Sequence, residues 1–238
     1  MLARLSLYQK KWTEAQIYAS EVLKDSTYSM ESDLQKVFLK DGSSIIWQLQ
    51  ATTSQSNANE GLSYIFTTAP PSLVSLTPDL VNSFDEKDLR RKNWVGELKD
   101  SQQRSYYYAF KYKQRTTTTS SMEYSVILRM EEVLLIRAEA FLHLEQNDKA
   151  LIDLNSIRKR AGLPDIVMSN SIDISSEIIN ERRHEFFVEA GHRFFDLKRS
   201  QRLDAVMKNV KPQWKSYFLL LPLPESGKDG QIDHLISE

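Results

Sequence analysis

Cysteine is absent from this chain of 238 residues, and only seven glycines are present. Without cysteine the chain has no disulfide, no thiolate nucleophile and no cysteine-ligated zinc. With so few glycines, none of its loops has the glycine-rich pattern that binds phosphate. These absences exclude several classes of enzyme and metalloprotein before any motif is considered.

An excess of charge of one sign is also lacking, because 31 lysines and arginines face 32 aspartates and glutamates. This balance gives no electrostatic reason to expect binding to nucleic acid or to anionic lipid. No apolar run approaches the roughly 20 residues that a bilayer requires. The opening "MLARLSLYQKKW" is interrupted by Arg4 and Gln9, so we expect an amphipathic helix there rather than a signal peptide.

Two helical hairpins are predicted from the spacing of apolar residues. Residues 2–23 carry apolar side chains at helical intervals around a central break, and Thr13 is the expected cap of the second helix. Residues 131–143 and 149–160 form the second predicted hairpin, and Gly162 marks its end. The chain is therefore expected to be mainly α-helical.

Each predicted hairpin holds two alanines twelve residues apart, Ala3 with Ala15 and Ala138 with Ala150. Small residues at these positions let two antiparallel helices approach closely. The spacing resembles that of the tetratricopeptide repeat. Two hairpins are too few for a free-standing solenoid, so we expect them to pack against another part of the protein.

The middle of the chain differs from both ends. Short runs at residues 44–50 and 105–113 alternate as strands do, between loops rich in serine, threonine and asparagine. We predict a mainly α fold in which hairpins of tetratricopeptide-repeat type pack with a loop-rich region bearing a few short strands. The expected organisation is one domain over residues 1–238, with a helical scaffold at 1–40 and 126–238 and a ligand region at 41–125.

The stretch "INERRHEFFVEAGHRFFDLKR" is dense in charge and in phenylalanine. On a helix, Arg182 lies on the inward stripe within reach of Glu185 and Glu189, and Gly191 is expected to break the helix before a second one. Charges beside aromatic rings must be paired to be tolerated. We therefore predict a cluster of ion pairs and hydrogen bonds that fixes the angle between two helices.

Metal binding and catalysis by this stretch are weaker hypotheses. A zinc-protease motif needs a second histidine four residues after His184, and that position holds Val188. Glutamates 181, 185 and 189 could serve a carboxylate-based hydrolase, although carboxylates one helical turn apart are common on solvated faces. The favoured interpretation is structural, with no metal and no cofactor.

The same stretch resembles the signature of the SusD/RagB family of nutrient-binding outer-membrane lipoproteins. "ILRMEEVLLIRAEAF", "ALIDLNSIRKRAGLP" and "FLLLPLPESG" resemble further family segments in the same order. The matching positions of the signature include Glu181, Arg182, Glu185, Glu189, Gly191, Arg193 and Asp196.

This resemblance implies a function without catalysis. Proteins of this kind bind a glycan, or in some branches a peptide, at the cell surface and pass it to a SusC-type TonB-dependent transporter. The chain resembles the C-terminal half of such a protein. Its outer-membrane location is implied by the family, and membrane attachment would depend on a lipid anchor that these residues do not include.

Sugar binding needs a flat aromatic face with planar polar side chains at its edge. For Trp47, inside "SIIWQL", a buried core position is the favoured expectation, while burial and exposure are equally expected for Trp94. Strand alternation places Tyr107 on the face opposite Tyr106 and Tyr108. The candidate ligand residues are Trp47, Trp94, Tyr106 and Tyr108, with Arg91 and Asn93 as polar partners.

Two other functions remain open. A helical-repeat adaptor that binds a protein partner would have an exposed apolar groove on its hairpins and would not respond to saccharides. A carboxylate-based glycoside hydrolase would lose turnover when Glu181 or Glu185 is changed.

Overall fold

The computed structural model describes residues 1–50 and 52–220. These residues belong to two compact units, Met1–His192 and the part of the chain from Arg193 onward. Helices predominate and the strands are short, as predicted. None of the described helices combines the length and the hydropathy needed to span a bilayer. The helices are α1 (Leu2–Tyr8), α2 (Trp12–Leu23), α3 (Asn59–Tyr64), α4 (Pro78–Asn82), α5 (Leu89–Trp94), α6 (Met130–His143), α7 (Asn147–Arg160), α8 (Ile174–Phe186), α9 (His192–Arg199) and α10 (Leu203–Val210).

Both predicted hairpins are confirmed. Helices α1 and α2 form the first and α6 and α7 the second, and α2 packs on α6. All four spaced alanines are buried, so the helices of each hairpin approach closely where they were expected to. The prediction of Thr13 as a cap is wrong, because α2 already begins at Trp12 after Lys11.

Four strands form two antiparallel pairs. Strand β1 (Ile45–Leu49) pairs with β4 (Ser125–Arg129), and β2 (Val95–Lys99) pairs with β3 (Ser105–Ala109). Strands β1 and β3 lie within the predicted segments. Strand β4 leads directly into α6, and β2 contains a glycine and two charged residues, so neither has a clear strand pattern in the sequence.

The largest cluster of buried apolar residues surrounds Trp94, at the junction of α5 and β2. The indole Nε1–H donates a hydrogen bond to the main-chain oxygen of Leu34 at 2.8 Å. The ring of Phe38 meets the indole edge-on, with 5.7 Å between the ring centroids. This cluster anchors the start of the β2–β3 hairpin.

Helix α8 begins with the carboxylate of Asp173 accepting a hydrogen bond from the amide of Ser176. It ends at Phe186, before the predicted break at Gly191. The backbone of Val188 has a φ of 57° and that of Gly191 a φ of 69°, values that no helix can contain. Glu189 therefore lies in a turn after the helix. Its carboxylate does not take the position relative to Arg182 and Glu185 that a continuous helix would give it.

Candidate functional site

Glu185 is the centre of a buried network of charges. Its side chain is fully buried, and Oε1 accepts hydrogen bonds from Arg129 Nη1 at 2.6 Å and Arg160 Nη2 at 2.5 Å. Oε2 accepts from Arg90 Nη1 at 3.0 Å. Burial alone would raise the pKa of Glu185, but the three positive charges outweigh it and hold that pKa well below its usual range.

Glu189 and Lys111 extend this network. Lys111 Nζ donates to Glu189 Oε1 at 2.5 Å and to the main-chain oxygen of Glu185 at 2.7 Å. The ammonium also lies 4.1 Å from the ring centroid of Phe187 and 4.8 Å from that of Trp94. Burial lowers the pKa of Lys111 to about 8, although the nearby Glu189 carboxylate acts in the opposite direction.

The predicted cluster of ion pairs is present, with partners that the sequence did not indicate, whereas its role in fixing the angle between the two helices stays a prediction. Cations from α5, β4, α7 and the segment after β3 surround the two glutamates. Arg182, which was expected to reach these carboxylates, lies over the ring of Phe186, 5.2 Å from its centroid. The network ties α8 to several other elements, which is the role of a scaffold.

Two further signature residues, Arg193 and Asp196, belong to the second unit. Both are part of α9. Asp196 Oδ1 accepts a hydrogen bond from Arg199 Nη2 at 2.9 Å, one helical turn further on. Within its own unit Asp196 thus has a structural partner.

The surroundings of these acids do not suit catalysis. Glu181 accepts a hydrogen bond from Arg90 Nη1 at 2.6 Å and is buried, so no substrate can reach its carboxylate. Ser83 lies 3.0 Å from His184 Nε2, but its hydroxyl donates to the main-chain oxygen of Leu80 at 2.7 Å. The described residues also contain no cluster of three or more metal-ligating side chains.

The structure decides the exposure of both tryptophans, and the expectation of a buried Trp47 is wrong. Trp94 is 0% exposed and cannot stack on a ligand, because its indole fills the core and its N–H is bound by a carbonyl. Trp47, expected in the core, is 46% exposed on β1. Its role in ligand binding stays a prediction.

Arg91 and Asn93 both make contacts within the protein. The Arg91 guanidinium lies over the ring of Tyr107, 5.3 Å from the centroid. Asn93 Nδ2 donates to the main-chain oxygen of Leu89 at 2.8 Å, one turn back along α5. A role for either side chain in ligand binding remains a prediction.

The tyrosines of β3 alternate as predicted. Tyr107 packs against the main core, while Tyr108 pairs across the hairpin with Gly96 and has its ring directly over that glycine. A Cβ added at Gly96 would lie 2.1 Å from a carbon of the Tyr108 ring. Glycine is therefore the residue that leaves room for the ring at this position.

Tyr108 joins further aromatic rings on the outer side of the hairpin. Phe66 and Phe110 meet its ring edge-on, at centroid distances of 5.1 and 5.7 Å. Tyr106 follows the same alternation as Tyr108, and all four side chains are partly exposed. We call Phe66, Tyr106, Tyr108 and Phe110 the aromatic face. Alternation could have indicated Phe110, whereas no signal in the sequence connects Phe66 with β3.

A polar edge borders the aromatic face at the hairpin turn. Asp100 Oδ2 accepts hydrogen bonds from Arg104 Nε at 2.7 Å and from the hydroxyl of Tyr106 at 3.3 Å. On the other side, the ammonium of Lys113 lies 4.0 Å from the centroid of Phe110 and donates to the main-chain oxygen of Asn93. Flat rings edged by planar charged groups can bind the C–H face and the hydroxyls of a sugar.

A surface cavity of about 390 Å³ is lined by residues that precede Phe66 and residues that follow Phe110 in the chain. Asn57 fixes one wall, because its Nδ2 donates to Thr116 O at 2.9 Å and its Oδ1 accepts from the amide of Met122 at 2.7 Å. This side chain is thus committed to holding the loop. The lining residues are Ser56, Asn57, Ala58, Asn59, Leu62, Gln114, Arg115, Thr116 and Thr117.

Solved structures with this fold come from several Bacteroides species. Surface glycan-binding protein A from Bacteroides thetaiotaomicron has a TM-score of 0.71 at 20% identity, over 98% of this chain and 60% of that one. The same protein solved in complex with laminarihexaose gives a TM-score of 0.70 at 19% identity, over 94% and 59%. A SusD superfamily protein from Bacteroides vulgatus gives 0.69 at 23% identity, over 87% and 52%. The chain thus spans about half the length of these structures.

Sequence comparison gives the family. No curated protein matches the chain, but the model of the SusD family matches residues 100–218, half of the sequence. That region includes β3, both helices of the second hairpin and the glutamates of the buried network. This chain belongs to the SusD family.

Proposed function

We propose that this chain binds oligosaccharides at the cell surface without breaking a bond, for uptake through a SusC-type TonB-dependent transporter. The observation that carries the proposal is the aromatic face with its polar edge, present in a chain of the SusD family. The structural likeness to a surface glycan-binding protein solved with laminarihexaose supports it.

The binding surface would be preformed. Helix α5, directly before the β2–β3 hairpin, is held at its start by Asp88 and Arg90, which pair at 2.8 Å in the buried network. It is held at its end by Trp94 in the core. Because α5 is fixed at both ends and leads directly into β2, the β2–β3 hairpin that carries Tyr106 and Tyr108 starts from a fixed position. Such a surface needs little ordering when a ligand binds, which lowers the entropic cost of association.

The burial and the low pKa of Glu185 support binding without hydrolysis. A glycoside hydrolase of the two-carboxylate type needs one acid that holds a proton at neutral pH and one that faces the sugar. Glu185 is buried among three arginines that keep its pKa low, so it cannot serve as the proton donor.

Calorimetric titration with a panel of soluble oligosaccharides tests the proposal. We expect saturable binding to one class of sugar, and we expect Tyr108→Ala to weaken it by at least about tenfold because the central ring of the platform is lost. Tyr18→Ala, which removes an exposed tyrosine on α2, is the matched control and should bind as the parent does. Equal affinities of both variants and the parent would place the sugar elsewhere.

The partner and location follow from the family in this proposal. We expect the protein to lie at the outer surface of the outer membrane, attached through a lipid anchor, and to associate with a SusC-type transporter. Co-purification with the transporter from detergent-solubilised outer membranes is the test. A protein that fractionates away from both the membrane and the transporter would contradict this part of the proposal.

A second candidate function is supported by one observation. An apolar cavity of about 330 Å³ lies between the first hairpin, β1, β4 and α6. Leu2, Tyr18 and Val22 line it, as an adaptor for a protein or peptide partner would require. If this surface carries the function, Val22→Glu abolishes partner binding, and no oligosaccharide binds to the parent protein.

A further inference from the structure

We propose, on the basis of the oligosaccharide-binding function above, that the ligand is an acidic oligosaccharide and that Arg115 binds its anionic group. The site would consist of the aromatic face together with the adjoining 390 Å³ cavity. The aromatic face would hold one or more sugar rings, and the cavity would hold the charged substituent of a neighbouring ring.

Arg115 connects the cavity with the segment that carries Phe66. Its side chain lines the cavity, and its Nε donates a hydrogen bond to the main-chain oxygen of Ile65 at 3.1 Å. Ile65 directly precedes Phe66 of the aromatic face. This hydrogen bond holds the guanidinium of Arg115 beside the residue that precedes Phe66, and it leaves both Nη groups for a ligand.

No carboxylate among the described residues neutralises Arg115 within salt-bridge distance. Glu60, on the adjacent helix α3, accepts a hydrogen bond from Ser125 Oγ at 2.8 Å and does not line the cavity. Glu123 lies near the end of the segment between β3 and β4, which also carries Arg115. Its carboxylate accepts hydrogen bonds from the amides of Lys113 and Gln114. Both acids are therefore bound to other groups.

The other cations around the aromatic face are already paired. Arg104 is bound to Asp100, and Lys113 donates to main-chain oxygens of Asn93 and Phe110. Among the described cations of this surface, Arg115 is thus the one that has no carboxylate partner and whose Nη groups are left for an anion. Its planar fork suits a carboxylate or a sulfate.

The rest of the cavity lining suits the uncharged part of a sugar. Apart from Arg115, all of the lining residues are uncharged, and most carry amide or hydroxyl groups. Amides and hydroxyls form hydrogen bonds with sugar hydroxyls in both directions. An arginine in a neutral polar cavity beside a ring platform is an arrangement that distinguishes an acidic sugar from a neutral one.

The test compares an oligogalacturonide with its methyl ester, in which each charged carboxylate is replaced by a neutral ester that is one methyl group larger. We expect the parent protein to bind the acid at least about tenfold more tightly than the ester, as the loss of a hydrogen bond to a charged group implies. Arg115→Gln should remove this preference and leave the affinity for the ester unchanged. Lys24→Gln, the control, removes an exposed cation next to α2 that takes no part in this site, and it should keep the preference.

A sulfated oligosaccharide and its desulfated form provide a second arm. A preference for the sulfated form that disappears in Arg115→Gln supports the same site with sulfate as the anionic group. The inference is overturned if neutral sugars bind and no acidic form is preferred, or if Arg115→Gln keeps the preference. If no oligosaccharide of any kind binds, the proposed function itself fails. Arg115→Lys, which keeps the charge but not the fork, should bind with intermediate affinity.

Discussion

The buried carboxylate of Glu185 holds together the charges at the centre of the first unit. Three guanidinium groups contact this one carboxylate in the absence of solvent. Removing the negative charge leaves those cations buried without compensation, which is more costly than never having buried them. The contribution of the glutamate is thus best measured by a substitution that keeps its shape.

Glu185→Gln should lower the free energy of unfolding by about 3–5 kcal/mol. The amide has the same size as the carboxylate but carries no charge, and its NH₂ group would face arginine donors. Urea unfolding followed by circular dichroism gives the measurement. Glu21→Gln serves as the control, since the Glu21–Lys24 pair is exposed and should contribute little. A similar, small effect in both variants would contradict the structural role of the network.

Stability should also fall in acid. In the folded state the pKa values of Glu185 and Glu189 lie below the ordinary value of 4.5, because their arginine and lysine partners outweigh the effect of burial. A lowered pKa contributes stability that is present above the unfolded value and is lost as the pH falls through the folded one. Glu181 acts in the opposite direction, since burial raises its pKa.

We therefore expect the free energy of unfolding to stay nearly level from about pH 7 to about pH 5 and to decrease below about pH 4.5. Urea unfolding at several pH values measures this dependence. In Glu185→Gln the decrease should be shallower, because one of the two titrating carboxylates is gone. An equally steep decrease in that variant would assign acid sensitivity to other groups.

At the residue scale, the sequence predicted which acids are paired but not with what. Glu185 and its partner Arg90 are 95 residues apart, and no helical spacing connects them. The exposure of Trp47 and Trp94 could not be predicted from the sequence either. Trp94 follows a polar stretch yet is buried, because a carbonyl of Leu34 meets its N–H, and Trp47 lies in an apolar run yet is exposed.

At the element scale, the helices of both hairpins were predictable because their signals are local, whereas α3, α4 and α5 lie in the region that was predicted to hold only loops and short strands. Apolar spacing gave both hairpins, and the close helix approach at the alanines followed from residue size alone. The end of α8 was not predictable in this way, since Val188 takes a positive φ without being a glycine. Strand β2 was missed because Gly96 weakens its pattern, and that glycine is present to admit the ring of Tyr108.

Gly96→Val should reduce oligosaccharide affinity by at least about tenfold while largely preserving the fold. The new side chain would occupy the space of the Tyr108 ring, so the ring must leave the aromatic face. The strand itself should tolerate the change, because valine favours extended backbone. Titration calorimetry and circular dichroism on the same sample separate the two effects.

The combination Gly96→Val with Tyr108→Ala identifies the cause. If the valine acts only by displacing the ring, the double variant should bind no more weakly than Tyr108→Ala alone. Additive losses would mean that Gly96 contributes to binding by another route. Retained affinity in Gly96→Val alone would show that the aromatic face is not the binding surface.

At the scale of the whole molecule, the buried network and the aromatic face are linked through shared elements. Arg90 lies in α5, directly before β2, and Lys111 lies just after β3. The two ends of the β2–β3 hairpin are therefore fixed by the charges that α8 organises. The signature glutamates and the aromatic face are far apart in the chain, so their connection is visible only in the folded structure.

A ligand that binds this hairpin should stabilise the first unit as a whole. At a concentration of 100 times its Kd, a ligand of the folded state adds about 2.7 kcal/mol to the free energy of unfolding. We expect a soluble oligosaccharide of the preferred class to raise Tm in a concentration-dependent manner, as measured by differential scanning calorimetry. Tyr108→Ala should show a much smaller rise at the same ligand concentration, whereas Tyr18→Ala should respond like the parent. No rise with any sugar, from a protein that unfolds cooperatively, would favour the protein-partner function of the apolar cavity over oligosaccharide binding.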